Sequence, residues 1–219
     1  MQIAVTEATD NRLALRRLIE ERLKDSRPAT DPGAALPAGF SAEIYAAVRE
    51  YFPPTPVAAA VLIPIVDHED GLTVLLTQRA SHLKNHAGQV SFPGGRIETN
   101  DEGPLAAALR ETEEEIGLSR QHVTFVGYLE PQLVITGYWV TPVVAFVQPG
   151  FALQLDRREV ESTFEVPLAH VLDPANHRAR ERALGERIVQ VYDIPYRERH
   201  IWGATAGMLI ALYRLLSRP

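Results

Sequence analysis

The sequence predicts an α/β protein in which a mixed β-sheet packs between helices, with a helical N-terminal extension in front of it. Runs of apolar and β-branched residues, typical of strands, begin abruptly at Val57, and two later segments have the apolar spacing of helices. Strands interleaved with helices favour a layered α/β sandwich. The change in texture divides the chain into an extension and linker over residues 1–54 and a main domain over residues 55–219.

The extension contains two predicted helices joined by a linker. Leucine and isoleucine recur among charged residues from Asn11 to Lys24, which predicts an amphipathic helix. The stretch from Arg27 to Phe40 is rich in Pro, Gly and Ala and reads as a linker. Ser41 is placed to cap a short helix that runs through Tyr51.

The main domain opens with a predicted hairpin. The runs VAAAVLIPIV and LTVLLTQR are separated by the acidic turn DHEDG, as in two strands joined by a tight loop. Three further runs, VTFVGYLE, YWVTPVVAFV and RIVQVYDI, are expected to extend the same sheet. Helical spacing appears from Leu105 to Ile116 and from Ala204 to Leu216.

Composition excludes several kinds of chemistry. The chain has no cysteine, which excludes disulfides, thiolate metal sites and cysteine nucleophiles and is consistent with a cytoplasmic location. We find no secretory leader and no run of apolar residues long enough for a bilayer, so we expect a soluble protein without a membrane partner. A net charge of −6 argues against sequence-independent nucleic-acid binding.

The most informative segment is GGRIETNDEGPLAAALRETEEEIGL, residues 94–118. Gly103 and Pro104 are start signals for a helix, Gly117 is a stop signal, and an apolar stripe lies between them. The stripe comprises Leu105, Ala108, Leu109, Thr112 and Ile116. Three glutamates, Glu111, Glu114 and Glu115, share another face because residues three and four apart are neighbours on a helix.

These glutamates have an ordinary alternative explanation, a solvated helix face. They lie, however, at the C-terminal end of the helix, where the helix dipole makes negative charge unfavourable. A bound cation would compensate for that cost. Oxygen ligands of this kind suit Mg²⁺ or Mn²⁺.

Opposite charges occupy adjacent stretches of the chain. From Gly71 to Ile97 there is no acidic residue, whereas seven acidic residues and one arginine lie between Glu98 and Glu115. Cations in the first stretch include Arg79, Lys84 and Arg96. A cationic strip beside an acidic one would attract a phosphorylated substrate to a metal site, although a strand and loop can be basic without binding anything.

The acidic segment resembles the Nudix box, G-x5-E-x7-R-E-U-x-E-E-x-G-U, in which U is a bulky aliphatic residue. The chain matches it at Arg110, Glu111, Glu114, Glu115, Gly117 and Leu118. Thr112 replaces an aliphatic residue, and six residues rather than five separate Gly95 from Glu102, which makes Asp101 and Glu102 rivals for one role. The resemblance implies a Nudix-type α/β/α sandwich and a pyrophosphohydrolase.

The preceding stretch, LLTQRASHLKNHAGQVSFPGG at residues 75–95, resembles the signature of the coenzyme A pyrophosphatase subgroup, with Lys84 in place of an arginine. REVESTFEVPL and HIWGATAGML resemble two further stretches of that subgroup. The resemblance implies cleavage of coenzyme A or acyl-CoA to 3′,5′-ADP and (acyl-)4′-phosphopantetheine.

The resemblance also implies roles for individual residues. Glu111, Glu114 and Glu115 would be ligands of Mg²⁺ or Mn²⁺, and one of them or a more distant glutamate would orient or deprotonate the attacking water. Glu159 is the candidate for the additional acidic group. Independently of the resemblance, Arg110 lies four residues before Glu114 on the helix and is placed to pair with it, either for catalysis or as an ordinary surface ion pair. The residues expected to approach or bind the substrate are Arg79, Lys84, Gly94, Gly95 and Arg96.

Other functions remain compatible with the sequence. The nearest is a Nudix enzyme for another nucleoside diphosphate derivative, such as ADP-ribose, a dinucleotide or a damaged nucleotide. A ligand sensor that retains the fold is a second, and intact glutamates argue against it. A third is an interaction protein whose N-terminal helix carries the main task. The oligomeric state is open, and a homodimer is one option.

Overall fold

The structure, a computed structural model, describes the backbone of residues 2–31 and 35–218 and the side chains of these ranges from Asp10 onward. The helices are α1 (Gln2–Leu23), α2 (Ala42–Val48), α3 (Pro104–Ile116), α4 (Leu168–Leu172) and α5 (Gly203–Leu216). The first strands are β1 (Val57–His68), β2 (Gly71–Arg79), β3 (Val90–Ser91), β4 (Gly94–Arg96), β5 (Val123–Tyr128) and β6 (Gln132–Leu133). The later strands are β7 (Tyr138–Val147), β8 (Val160–Pro167), β9 (Arg178–Leu184), β10 (Arg187–Tyr196) and β11 (Arg199–Trp202).

The main sheet has eight strands and is mixed, as predicted. Its central order is β3-β2-β1-β7-β5, with β4 paired to β1, β6 to β7 and β8 to β2. The long pair β1 and β7 is parallel, and the other pairs are antiparallel. The predicted hairpin forms between β1 and β2, where His68 pairs with Gly71 across a two-residue turn.

Alternation along β1 sends its side chains to two different cores. Ala60 and Leu62 pack with Ala107 and Ala108 of α3 on one face of the sheet. Ile63 lies on the other face, in the main core that α1 and α5 cover. The sheet therefore lies between helices on both faces, which confirms the predicted α/β sandwich.

The N-terminal helix α1 is packed into the main core. Ile19 and Leu23 are fully buried there. Arg12 Nη1 lies 2.6 Å from an oxygen of Asp67 at the end of β1, and Arg16 contacts the same carboxylate. The amphipathic helix predicted from the sequence thus covers the sheet directly. Along the described part of the chain, no helix is long and apolar enough to span a membrane.

The second predicted helix of the extension is also present. Ser41 caps α2, where its hydroxyl accepts a hydrogen bond from the backbone N–H of Ile44 at 3.3 Å. A single 3-10 turn, Arg49–Tyr51, completes the segment. The described residues of the predicted linker are in neither helix nor strand.

One predicted strand pairs with different strands from those expected. The run RIVQVYDI forms β10 but does not extend the main sheet; it lies in a separate three-stranded sheet of order β11-β10-β9. Two-residue turns join β10 to both neighbours, pairing Leu184 with Arg187 and Tyr196 with Arg199. These neighbouring strands provide the hydrogen-bond partners for the backbone of β10. The apolar pattern predicts a strand, but it does not specify the partner, and the exposed strand β9 has no apolar period to reveal it.

Candidate active site

Helix α3 begins and ends where the sequence predicts. Pro104 is its first residue, and Gly117 stops it in the left-handed conformation, at φ 68°, where its N–H bonds the carbonyl of Glu113. Thr112 fits the buried side because its hydroxyl donates a 2.6 Å hydrogen bond to the carbonyl of Ala108. A threonine can therefore occupy the aliphatic position of the Nudix box without leaving a buried polar group unpaired.

The three glutamates of α3 line one cleft, of about 290 Å³, together with Asp156, Arg158 and Glu159. Their environments differ. Glu115 is only 5% exposed, Glu111 is half-buried, and the side chain of Glu114 is 61% exposed. The helix thus presents carboxylates from the buried floor of the cleft to its open edge.

Glu115 occupies the floor of the cleft. Its Oε2 accepts a hydrogen bond from the backbone N–H of Gly94 at 3.2 Å, and its Oε1 lies 3.9 Å from Arg79 Nη1. Burial raises the pKa of Glu115 to about 8, against the opposing effects of Gly94 and Arg79. The nearby charges of Glu159 and Glu111 raise this pKa further.

Glu111 lies directly over β4. A Cβ atom built on Gly95 would lie 2.5 Å from its carboxyl carbon, so the absence of a side chain at Gly95 leaves the space that the carboxyl fills. Burial raises the pKa of Glu111, the contact with Arg110 lowers it, and the charges of Glu114 and Glu159 raise it. Several carboxylates therefore share one site, and the cationic side chains nearby compensate their negative charge only in part.

Arg110 holds two of the glutamates. Its Nη1 donates to Glu111 at 3.0 Å and to Glu114 at 3.3 Å, so the predicted pair with Glu114 is present. Its Nη2 donates to the carbonyl of Arg96 at 3.1 Å, which ties the helix to β4. Hydrogen bonds to Asp101 raise the pKa of this guanidinium, so it stays charged.

The structure distinguishes the rivals Asp101 and Glu102. Arg110 donates two hydrogen bonds to Asp101, at 3.1 and 2.9 Å, and the side chain of Asp101 is 6% exposed. The backbone N–H of Glu98 also donates to Asp101, at 2.8 Å. Glu102 is exposed and lines a different surface hollow. Asp101, which five residues separate from Gly95, therefore anchors Arg110.

Glu159 lies across the cleft from α3, on the turn that leads into β8. It is close enough to Glu111 and Glu115 to raise the pKa of each. The sequence does not single out two further cleft residues, Asp156 and Arg158, although Arg158 opens the REVESTFEVPL stretch. Their place just before Glu159 is the signal that points to them.

The predicted substrate residues are only partly assembled at this cleft. Gly94, Gly95 and Arg79 adjoin its carboxylates as described above. Lys84 is exposed on the loop from β2 to β3. The side chain of Arg96 contacts Tyr138, with its Nε and Nη2 3.2 and 3.1 Å from the hydroxyl oxygen.

The donor set of the cleft fits a hard divalent cation. Its possible ligands are carboxylate oxygens, which such ions prefer. A bound cation would also reduce the repulsion between the charges of Glu111, Glu115 and Glu159. Within residues 2–31 and 35–218, no three acidic or histidine side chains are already arranged as a metal cage. Ion binding would therefore require the carboxylates to close on it.

Comparison with known proteins identifies the family. The NUDIX domain model matches residues 55–187. The uncharacterized Nudix hydrolase NudL of Escherichia coli is 42% identical over 152 residues, which are 69% of this chain and 78% of that protein. The NudL protein of Shigella boydii gives the same figures, 42% identity over 152 residues. The chain belongs to the Nudix family.

Within that family the chain is a hydrolase that acts on the pyrophosphate bonds of nucleoside diphosphate derivatives. Nudix hydrolases generally use divalent metal ions such as Mg²⁺. The confirmed family also agrees with the α/β/α sandwich that the Nudix box implied.

Solved structures with a similar fold have low sequence identity. A Caenorhabditis elegans Ap4A hydrolase, in a binary complex, is 22% identical with a TM-score of 0.44, over 51% of this chain and 80% of that one. The NUDIX domain of Shewanella oneidensis NrtR, complexed with ADP ribose, is 24% identical with a TM-score of 0.41, over 61% and 87%.

Proposed function

We propose that this protein hydrolyses the diphosphate of coenzyme A or acyl-CoA to 3′,5′-ADP and (acyl-)4′-phosphopantetheine. The observation that carries the proposal is the contact between two sequence signatures. Arg79 and Gly94 both belong to the 75–95 stretch that resembles the coenzyme A pyrophosphatase subgroup. Both contact Glu115 of the carboxylate helix, so the stretch lies at the edge of the cleft.

Glu111, Glu114 and Glu115 are the proposed ligands of Mg²⁺ or Mn²⁺. A bound ion would neutralise charge on the diphosphate and lower the pKa of water. Arg110 keeps Glu111 and Glu114 in place, and Asp101 keeps Arg110 in place. Gly94 and Gly95 are proposed to bring the backbone close to the bound ion or the substrate, and at Gly95 the missing side chain leaves the room that the Glu111 carboxyl occupies.

Glu159 is the proposed proton acceptor. It faces the α3 carboxylates from the opposite wall, so a water molecule between them has a base on one side. The water oxygen attacks one phosphorus, the bond from that phosphorus to the bridging oxygen breaks, and the water proton passes to the Glu159 carboxylate. The second phosphate leaves with the bridging oxygen.

The basic strip supplies the proposed contacts to the substrate's remaining anionic groups. Arg79 lies beside the carboxylates, while Lys84 and Arg96 lie further along the same stretch. Lys84 keeps the positive charge of the arginine that it replaces but lacks the planar fork. The 3′-phosphate of coenzyme A is an anionic group, in addition to the diphosphate, that this basic strip could bind.

Two further parts of the proposal concern the whole chain. Residues 1–54 form an extension of a catalytic domain over residues 55–219, and the extension covers one face of that domain's sheet. The enzyme acts in the cytoplasm, consistent with a chain that contains no cysteine.

The test is product analysis after the purified protein is incubated with coenzyme A and Mg²⁺. We expect 3′,5′-ADP from the wild type and little from Glu114→Gln. Glu113→Gln is the matched control, because Glu113 is an exposed neighbour that does not line the carboxylate cleft. Its activity should equal that of the wild type.

A substrate panel separates coenzyme A from its rivals. Dephospho-coenzyme A lacks the 3′-phosphate, so weaker cleavage of it than of coenzyme A is expected. Cleavage of ADP-ribose or a dinucleotide in preference to coenzyme A would support the hydrolase activity and contradict the proposed substrate. Inactivity on every diphosphate would instead favour a ligand sensor.

A further inference from the structure

We propose that Arg158 binds a phosphate oxygen of the substrate, and that Asp156 holds its guanidinium at the cleft until the substrate arrives. This inference rests on the proposed hydrolysis of coenzyme A and adds a substrate-binding residue outside the Nudix box and the 75–95 stretch. In this scheme Arg158 exchanges one anionic partner for another. Its charge stays constant throughout.

The first observation is the geometry of the ion pair. Arg158 Nε lies 3.0 and 3.1 Å from the two oxygens of Asp156, and its Nη2 lies 2.7 Å from Oδ2. The Arg158 side chain is nonetheless 88% exposed. An exposed ion pair contributes little to stability, so a phosphate can displace Asp156 at low cost.

The second observation is the rigidity of the turn beneath this pair. The N–H groups of Glu159 and Val160 both donate to the carbonyl of Asp156, at 3.0 and 2.9 Å. The Asp156 N–H donates to the carbonyl of Glu115 at 2.9 Å, and the carbonyl of Glu159 accepts from the Ala80 N–H at 2.8 Å. The backbone of Arg158 is therefore fixed relative to α3, while its exposed side chain is held by Asp156 alone among the side chains of the cleft.

The third observation is the charge of the cleft. Its lining consists of five carboxylates and Arg158. Arg110 is engaged with Asp101, Glu111 and Glu114, and Arg79 lies beside Glu115. Arg158 thus has the most freedom of these three arginines to reach an incoming phosphate. Guanidinium groups bind phosphate through paired, charge-assisted hydrogen bonds.

Arg158→Ala is compared with Arg157→Ala, its exposed neighbour, which donates to the carbonyl of Glu161. Kinetics with coenzyme A and Mg²⁺ give kcat and KM, and calorimetry measures the Kd of inorganic pyrophosphate in Mg²⁺. We expect KM and this Kd to rise about tenfold or more in Arg158→Ala, as for a lost charged hydrogen bond. Arg158→Lys should recover part of the loss, and Arg157→Ala should match the wild type.

Asp156→Asn tests the holding role separately. Removing the competing carboxylate should lower KM and the pyrophosphate Kd when Arg158 is present and change neither in the Arg158→Ala background. Equal pyrophosphate affinity in Arg158→Ala and the wild type would overturn the assignment of Arg158, as would a wild type that binds no pyrophosphate. A wild type that binds pyrophosphate through Arg158 yet cleaves no diphosphate would overturn the proposed hydrolysis alone.

Discussion

The backbone N–H of Gly94 donates a hydrogen bond to the buried carboxyl of Glu115 across 3.2 Å. This contact joins the start of β4 to the last turn of α3. This hydrogen bond and the guanidinium of Arg79, 3.9 Å away, do not offset the burial of Glu115, whose pKa rises to about 8. A carboxyl in this state favours either a proton or a metal ion.

The first prediction concerns pH and stability without divalent metal. The pKa of Glu115 is higher in the folded chain than its ordinary value of 4.5, so the folded state binds its proton more tightly. Stability from this group is present below about pH 4.5 and is lost as pH rises toward about 8, by at most about 5 kcal/mol. In thermal melts with a chelator, the melting temperature of Glu115→Gln should rise relative to that of the wild type as the pH increases from about 4.5 to about 8.

Two additions sharpen that experiment. Mg²⁺ should narrow the difference between the two proteins at pH 8, because the ion compensates the charge that only the wild type carries. Glu113→Gln, an exposed change on the same helix, should follow the wild type at every pH. Parallel pH profiles for Glu115→Gln and the wild type would contradict the assigned pKa.

The second prediction separates Asp101 from Glu102. Asp101→Asn weakens the support of Arg110, which holds Glu111 and Glu114. We expect activity and metal affinity to fall roughly 10–100-fold, as for other groups that orient metal ligands. Glu102→Gln removes the same charge at the adjacent exposed position and should leave both unchanged. The reverse ranking in a steady-state assay would show that Glu102 fills the role.

The third prediction uses two glycines whose added Cβ atoms meet different neighbours. Gly95→Ala would push against the carboxyl of Glu111, the flexible end of a side chain, so activity should fall about tenfold or more with little change in melting temperature. Gly127→Ala would meet the backbone of Leu23 at 2.7 Å, so it should lower the melting temperature and spare kcat. Equal effects of both changes on kcat would contradict this division.

The fourth prediction concerns the N-terminal helix. Ile19 and Leu23 are buried in the main core, so Leu23→Ala should lower the free energy of unfolding by about 2–5 kcal/mol. Leu13→Ala, at a position on the same helix that is 37% exposed, is the control and should lower the free energy of unfolding much less. Denaturant titration measures both. Deletion of residues 1–54 should expose the core face of the sheet and produce an unstable or aggregating protein.

Much of the fold is predictable because its signals are local. The hairpin of β1 and β2, the limits of α3 and α5, and the cap of α2 at Ser41 each follow from residues close together in the chain. The pairing of β10 is not predictable in this way. Its apolar pattern indicates a strand that buries one face, and two different sheets can satisfy that requirement.

The candidate site likewise has features that local sequence predicts and features that it does not. Helical periodicity by itself places Glu111, Glu114 and Glu115 together and predicts the contact of Arg110 with Glu114. It does not show that Glu115 is buried while Glu114 is exposed, since that depends on how α3 packs on β4. Nor does it decide between Asp101 and Glu102, because one inserted residue shifts a loop in a way that spacing does not resolve.

The sequence by itself thus determined the fold class, the family and the carboxylate helix, because each depends on residue types at short, fixed separations. Only the tertiary structure decided which carboxylate is buried, which acid anchors Arg110, and that Asp156, Arg158 and Glu159 form the opposite wall of the cleft. These relationships join residues up to about forty-eight positions apart, from Glu111 to Glu159. Their placement around one cleft depends on the pairing of β8 with β2, which no local pattern encodes.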